Sequence, residues 1–594
     1  MNTKRIIQII AVVLIAVVLW VYLKGKKTSA PTSKEKVLVT TSISFIKTLD
    51  PIQCDDSYSA REIAKVYEGL LEYHYLKRPI ELAPNLAESM PTVSADQLVY
   101  TFKIKPGVMF HDDTCFPNGK GRELTASDFV YSFKRLADPK QQARNFWLID
   151  DKIKGLGEWR EKNANLDQTD YTVDIEGIKA LDRYTLQFIL SKPYPQFLYA
   201  LAMPGCMVVP HEAVKHYGPE FINHPVGTSA FVLKAFNPQD TKIVYLKNPT
   251  FRDKRFPNEA AEEYKHMLAY ADKKLPLVDK IIMHIIPEEQ PRWLKFQKGE
   301  IDVLDLSKDK TATEVLDSNN QLITSLQKKG VQVLQIPSIS TGYIVINNTL
   351  DLFKNNLKLR QAMSLAFDAA GYNKLFHENR AVLAQSTVPP GLAGYQTDYV
   401  NPYRVYDVEK AKRYLAKAGY PGGKGLPEIT LDIATGTIFR QKGEFFQKCM
   451  NQIGIKVKLV ENIFPELLKK LGNKATMLHT ISWSADYPDA ENFFQLFYGR
   501  NEPGLGIYFN NPAFNDLYEK ASVMPDSPKR TMLYEQLDQM IGEQTPAICI
   551  LHQKYTFIQQ GWLKNYCYSD FHYGTEQYFD IDEGQKKALS TNLK

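Results

Sequence analysis

Apolar positions recur along the chain with two different periods. Val37 to Ile43 is a β-branched, apolar run that predicts a first strand, and Leu98 to Ile104 alternates like a half-buried strand ending at Pro106-Gly107. Between them, Ile63, Val66, Tyr67 and Leu70 recur at helical spacing within Ser57 to Leu71. Thr125-Ala-Ser-Asp128 reads as a helix start, followed by Phe129, Phe133 and Leu136 on one face, with Pro139 as the stop. Further strands are predicted at Arg183 to Leu190, Lys242 to Lys247, Lys280 to Ile286, Tyr343 to Ile346, Ile429 to Ile433 and Ile455 to Val460. Helices are predicted at Trp293 to Lys298, Leu357 to Phe367, Val408 to Ala418 and Arg440 to Ile453. Strands alternating with helices imply an α/β protein whose sheets are covered by helices, and their dispersion favours several domains with a chain that crosses between them. Gly155 to Gly177 and Asp253 to Asp279 break the pattern and read as inserted surface elaborations.

The strongest apolar run precedes all of these. Ile6 to Leu23 holds one polar residue, Gln8, and as a helix would span about 27 Å, close to a hydrocarbon core. Lys4 and Arg5 precede it, and Lys24, Lys26 and Lys27 stand where a signal peptidase would cut. Residues 1–30 are therefore read as an uncleaved membrane anchor or an export signal. Ala30 to Lys36 follows as a polar linker.

Composition narrows the remainder. The 594 residues are 44% apolar and 24% charged, ordinary for a globular chain of several domains. The net charge of +6 is misleading, because five of the bases lie in residues 1–30, which hold no acid; the rest carries 68 bases against 67 acids. A neutral body argues against nucleic acid as a partner. The six cysteines (54, 115, 206, 449, 549, 567) form neither a disulfide framework nor a metal pattern.

No nucleophile elbow, phosphate-cradling loop or dinucleotide fingerprint is present. His211 and His216 sit at i and i+5, about 140° apart on a helix, which is wrong for a shared metal. His111-Asp112-Asp113 lies in a turn-rich stretch and reads as an acidic loop. No metal and no cofactor are expected, and the missing motifs lower the odds of an enzyme without excluding one.

The informative constellation is Trp483-Ser484-Ala485-Asp486-Tyr487-Pro488-Asp489, just past the apolar run Met477 to Ile481. A carboxylate beside a Trp at a strand end suits a cation, since partly apolar surroundings strengthen an ammonium–carboxylate pair. The Trp can stack on a ligand. The competing reading is a turn, with Asp486 capping and Trp483 in the core.

From this string outward the chain resembles the peptide/nickel-type extracellular solute-binding proteins of ABC importers, over about residues 37–570. Leu49-Asp50-Pro51 with Tyr67-Glu68-Gly69-Leu70 is similar to the family's opening. Lys105 to Asp112 and Leu124 to Phe133 resemble its most specific signature. Pro225-Val-Gly227-Thr228-Ser229-Ala230-Phe231 matches its turn motif with Ser229 in place of a glycine. Gly299-Glu300-Ile301-Asp302, Arg360-Gln361-Ala362 with Ala366-Phe367-Asp368, and Asp407 to Tyr420 follow in the family's order.

The resemblance implies a two-lobed, hinged periplasmic-binding-protein fold of the large, three-domain type. Carried onto this chain, the base domain of lobe 1 is 36–68, 210–340 and 550–594, its extra domain is 69–209, and lobe 2 is 341–549. It implies an extracytoplasmic, periplasmic receptor, monomeric, that encloses peptides between the lobes and delivers them to an ABC permease, held at the inner membrane by residues 6–23 or released after cleavage. Asp486 is the position that pairs with a peptide's α-ammonium in the family's peptide receptors, with Trp483 and Tyr487 beside it. Arg440 and Arg380 are candidates for the peptide carboxylate. The basic residue that some oligopeptide receptors carry three positions before the Trp is here Thr480. The same family also binds glutathione, metal chelates, haem and sugars, so a non-peptide ligand stays open, as does a membrane-tethered sensor without transport.

Overall fold

The computed structural model describes residues 35–590 apart from 238, 308–310, 318 and 502–503, so the expected segment 6–23 lies outside the described residues. Among the described residues no helix is long and apolar enough to cross a membrane. The body, from Val37 onward, builds three main sheets.

In the first sheet, Val37–Ser42 pairs in parallel with Lys280–Ile285, which pairs antiparallel with Lys242–Lys247, with Phe231–Ala235 at the edge. Alternation sets its faces: Ile281, Met283 and Ile285 are buried while their neighbours are half exposed. The second sheet holds Thr92–Val93, Val99–Lys103, Thr185–Ile189 and Ile178–Asp182. The helix Ala126–Ala137 packs on it, with Phe133 edge-on to Phe188 at 4.9 Å between ring centroids. That helix starts where its sequence says, because Thr125 and Asp128 form a capping box.

The third sheet has the order 457–462, 429–434, 478–484, 340–346, 547–549. Its first three strands are mutually parallel, and 340–346 is antiparallel to both its neighbours. The C-terminal ends of 429–434, 457–462 and 478–484 therefore share one edge with the start of 340–346.

Two adjacent segments carry the chain between the first and third sheets' halves of the body. Gln332–Pro337 pairs with Lys554–Gln559, and a few residues on, Ser340–Ile346 pairs with Ala547–Cys549. Ser338 N donates to the Gln553 carbonyl at 2.9 Å between these pairings. The result is a two-lobed, mixed α/β architecture.

The family-like motifs hold this scaffold together. Asp50 caps the turn Pro51–Gln53 and receives both Nη atoms of Arg135 at 2.6 and 2.7 Å, fully buried. Glu68 receives Arg252 at two oxygens (2.6 and 2.8 Å) and the Thr228 hydroxyl at 2.9 Å. A Cβ on Gly227 would sit 2.0 Å from the Val66 carbonyl oxygen, so only glycine lets these segments meet. Buried Asp302 accepts from Val39 N and Trp562 Nε1, both at 2.7 Å, and Arg360 and Gln361 donate to the last carbonyls of helix Pro528–Gln544.

The two stretches expected as surface elaborations are integrated. Within 155–177, Leu156–Ala164 is a helix whose Trp159 is buried and donates Nε1 to the Val173 carbonyl at 3.0 Å. Within 253–279, Phe256, Leu275 and Val278 join the core, and Lys254 pairs with Glu72 at 2.6 Å. Their low periodicity reflects short helical turns and irregular backbone that bury isolated anchors rather than one face. His111 is likewise buried, its Nε2 2.9 Å from the Ser229 carbonyl, and burial lowers its pKa to about 4.

Candidate functional site

The Trp483 to Asp489 string stands at the shared edge of the third sheet. Trp483 is the penultimate residue of strand Leu478–Ser484 and pairs in register with Thr341. Its indole Nε1 donates to Asn492 Oδ1 at 2.8 Å, which fixes the ring while leaving it half exposed. Asp486 N donates to the same oxygen at 3.1 Å, and Asn492 Nδ2 donates back to Asp486 Oδ2 at 3.4 Å. Asn492 itself is fully buried.

Three acids lie within six residues here, and they differ in what satisfies them. Asp489 meets Arg530 at 2.8 Å, accepts the Tyr534 hydroxyl at 2.9 Å and accepts Glu491 N at 3.0 Å. Glu491 accepts the Tyr487 hydroxyl at 2.6 Å and the Tyr518 hydroxyl. Both are compensated internally. Asp486 is half-buried, caps no helix, and has no cationic partner among the described residues. Burial raises its pKa, opposed only by the Asn492 bond. A partly desolvated carboxylate with one weak donor is poised for a cation, because a buried charge without a partner is costly.

Tyr487 is buried rather than open to a ligand, and its ring stacks on Tyr199 at 5.6 Å between centroids. Gln196 Nε2 donates to the Ser522 carbonyl at 3.0 Å, and the Tyr199 hydroxyl donates to Asp526 at 3.2 Å. Residues 196–199 thus touch Tyr487, the chain neighbour of Asp486, and the segment 522–526. No motif in the sequence marks Asn492, Gln196 or Tyr199 for this role.

The two candidate arginines lie on opposite flanks of Asp486 along the same edge. Arg440, in helix Thr437–Asn451 after strand 429–434, is exposed and paired with Glu461 of strand 457–462. Arg380 precedes the short strand Val382–Leu383, which pairs with Leu551–His552 on the far side of 340–346. Its side chain is mostly buried and lies 3.6 Å from Glu378. It lines a polar cavity with His377, Lys554, Ser307 and Thr556. Lys442 Nζ lies 3.4 Å from His377 Nε2, and burial together with Lys442 and Arg380 lowers the His377 pKa to about 4. A neutral imidazole, two hydroxyls and two cations, Arg380 and Lys554, make this cavity attractive to an anion.

Clefts at the carboxyl ends of strands, between two lobes, are where open α/β folds bind ligands. The chain is 27% identical over 509 residues to the dipeptide-binding protein of Escherichia coli (strain K12), spanning 84% of this chain and 85% of that one. It is 26% identical over 532 residues to heme-binding protein A of Haemophilus influenzae, spanning 87% of each. Among solved structures, HbpA2 from Haemophilus parasuis matches with a TM-score of 0.74 at 23% identity over 92% of this chain and all of that one. The periplasmic binding protein DppA from Helicobacter pylori in complex with the peptide STSA matches at 0.67 and 25% identity, over 92% of this chain and 99% of that one. The model of the bacterial extracellular solute-binding proteins, family 5, matches residues 81–504, and the chain belongs to that family.

Proposed function

We propose that the protein is an extracytoplasmic receptor that encloses peptides between its lobes and hands them to an ABC permease. Asp486 anchors the peptide's α-ammonium, and Trp483 forms the adjacent wall. The observation that carries this reading is the half-buried Asp486 carboxylate with no cationic partner among the described residues. The names of the dipeptide-binding relative and of the peptide-bound neighbour support the ligand class.

The peptide's carboxylate goes to the Arg380 cavity rather than to Arg440. Arg440 already has Glu461 as its partner and stands in solvent. Strand 382–383 lies three strand spacings from 478–484, about 14 Å. An extended chain of three to four residues, together with the arginine's own reach, covers that distance.

The separate sheets support a division into a base domain (36–68, 210–340, 550–594), an extra domain (69–209) and lobe 2 (341–549), closing about the crossing segments near 338–340 and 550–553. The receptor acts as a monomer, with its body outside the cytoplasm. Residues 6–23 anchor it to the inner membrane, which confines its encounters with the permease to two dimensions.

The deciding experiment is calorimetric titration of the wild type and Asp486→Asn with Ala-Ala-Ala and N-acetyl-Ala-Ala-Ala. The expected result is a loss of at least tenfold for the free-amine peptide in the variant, with the acetylated peptide binding weakly to both. Equal affinities of the two peptides for the wild type would sink the amine anchor.

A further inference from the structure

The body is neutral overall, but its charge is not evenly spread. Residues 351–480 carry 19 bases against 11 acids. The excess converges where helix Leu357–Ala366 lies against helix Val408–Lys417. Lys358 Nζ lies 4.8 Å from the Tyr414 ring centroid, Lys417 Nζ 5.5 Å and Lys410 Nζ 6.0 Å. Tyr403 completes the cluster, with its ring centroid 6.0 Å from that of Tyr414 and 5.7 Å from Lys410 Nζ.

None of these three lysines has an ion-pair partner among the described residues. The acids of the same helix are committed elsewhere. Glu409 pairs with Lys412 at 2.8 Å, and Asp407 caps the helix by accepting Lys410 N at 2.8 Å. Glu543, whose carbonyl accepts Gln361 Nε2, is exposed and forms no ion pair among the described residues. Lys358 Nζ donates to Gln361 Oε1 and Lys410 Nζ to the Pro402 carbonyl, both at 3.0 Å. An ammonium carries three N–H donors, so most of the cluster's donors are unused. Lys358 and Lys410 are also half-buried. Like charges held together and partly out of water repel one another, and an aromatic face offsets only part of that. An anion among them removes the repulsion and accepts several charge-assisted bonds at once.

The cluster is not part of the ligand cleft. Strand 340–346 starts at the edge that carries Trp483 and runs away from it, and Lys358 follows its far end. Strand 429–434 finishes at that same edge, and Lys417 precedes its start. Strands of this length separate the two ends of the sheet by about 20 Å. A peptide held at Asp486 does not reach the lysines.

We propose that Lys358, Lys410 and Lys417, gathered around Tyr414, form a binding site for a phosphate group, separate from the peptide cleft. Lysine binds phosphate as a compact point charge with rotatable donors, and the oxygens of a tetrahedral group accept from ammoniums that approach from different sides. Arg413 on the same helix, and Lys354 and Lys424 just beyond the helix ends, are exposed and add to the field that draws such a group in. The group belongs to free phosphate or to the headgroup of an anionic phospholipid. Its chemistry at the lysines is the same in both, and the test separates the two sources.

The test titrates the full-length protein at low salt, in a maltoside detergent, with inorganic phosphate and separately with glycerophosphoglycerol, the soluble headgroup of phosphatidylglycerol, followed by phosphorus NMR. The wild type is expected to saturate with at least one probe at millimolar concentration or below, and the probe bound more tightly names the source. Lys358→Gln/Lys410→Gln/Lys417→Gln should weaken that binding by about tenfold or more, with an unchanged urea midpoint to certify the fold. Lys448→Gln/Lys456→Gln/Lys458→Gln removes the same charge from exposed positions elsewhere in lobe 2 and should change the affinity by less than about threefold. Absence of saturation with both probes overturns the proposal, as does binding that survives the first triple substitution. Equal losses in the two triple variants also overturn it, because they assign the effect to net charge rather than to the site.

Discussion

Tyr199 and Tyr487 lie face to face, with ring centroids 5.6 Å apart and planes 4° apart. Tyr487 is anchored below by Glu491, and Tyr199 is backed by Tyr73 at 6.4 Å, so the stack joins two already fixed aromatic surfaces. Its removal should therefore be felt in stability. Tyr199→Ala is expected to destabilise the protein by about 1–3 kcal/mol, measured as a shift in the urea midpoint. Tyr199→Phe keeps the stack and loses only the hydroxyl bond to Asp526, and should lose less than about 1 kcal/mol. Equal effects of the two substitutions would place the energy in the hydroxyl rather than the ring.

Binding should depend on pH through Asp486, with a definite sign. Burial raises the pKa of its carboxyl, and the Asn492 bond opposes this only in part. An ammonium ligand needs the charged carboxylate, so binding expels the proton from the protonated fraction. Affinity for a free-amine peptide should fall as the pH drops through that raised pKa, by up to about tenfold per pH unit. The decline should begin above the range of an ordinary surface carboxylate. It should also fall above about pH 8, as the peptide's own amino group deprotonates. N-acetylated peptides should show neither limb. An unchanged acid limb in Asp486→Asn would remove this residue from the account.

The sequence made the architecture readable because its recognisable motifs hold the scaffold. Asp50, Glu68, Gly227, Asp302, Arg360 and Asp407 are turn formers, buried ion pairs, close backbone contacts and caps, and their spacing follows from the joints they make. Trp483 and Asp486 were readable for another reason: they sit three residues apart at one strand end, so their relationship is local. The rest of the site is not local. Tyr199 meets Tyr487 across nearly 300 residues of chain, and Arg380 shares its cavity with Ser307 and Thr556. Periodicity carries no information about such contacts.

The Asp50–Arg135 pair offers a test of a motif's structural purpose. Both side chains are buried, and the pair joins the opening segment to the signature helix. Arg135→Met strands a buried carboxylate and should lose about 3–5 kcal/mol. Adding Asp50→Asn should restore part of that loss, since the stranded charge is then gone. Denaturant midpoints of both variants check this. A double variant no more stable than the single one would mean that the hydrogen-bond geometry, not the charge, governs the joint.

The two arginines can be separated with peptides that lack a carboxylate. Arg380 faces a cavity it shares with Lys554 and neutral His377, and its neighbour Glu378, at 3.6 Å, is largely exposed. A ligand carboxylate entering there gains charge-assisted bonds worth roughly 1.5–3 kcal/mol. Arg380→Ala should weaken binding of Ala-Ala-Ala by about ten- to hundredfold, and binding of its C-terminal amide by much less. Arg440→Ala instead frees Glu461 at an exposed ion pair, and exposed pairs contribute little. It should change both peptides by less than about threefold. The reverse outcome, with Arg440→Ala abolishing the difference between acid and amide, would run the peptide toward strand 457–462. Calorimetry on six protein–peptide pairs, the wild type and both variants each with acid and amide, therefore fixes the direction in which the ligand lies along the sheet edge.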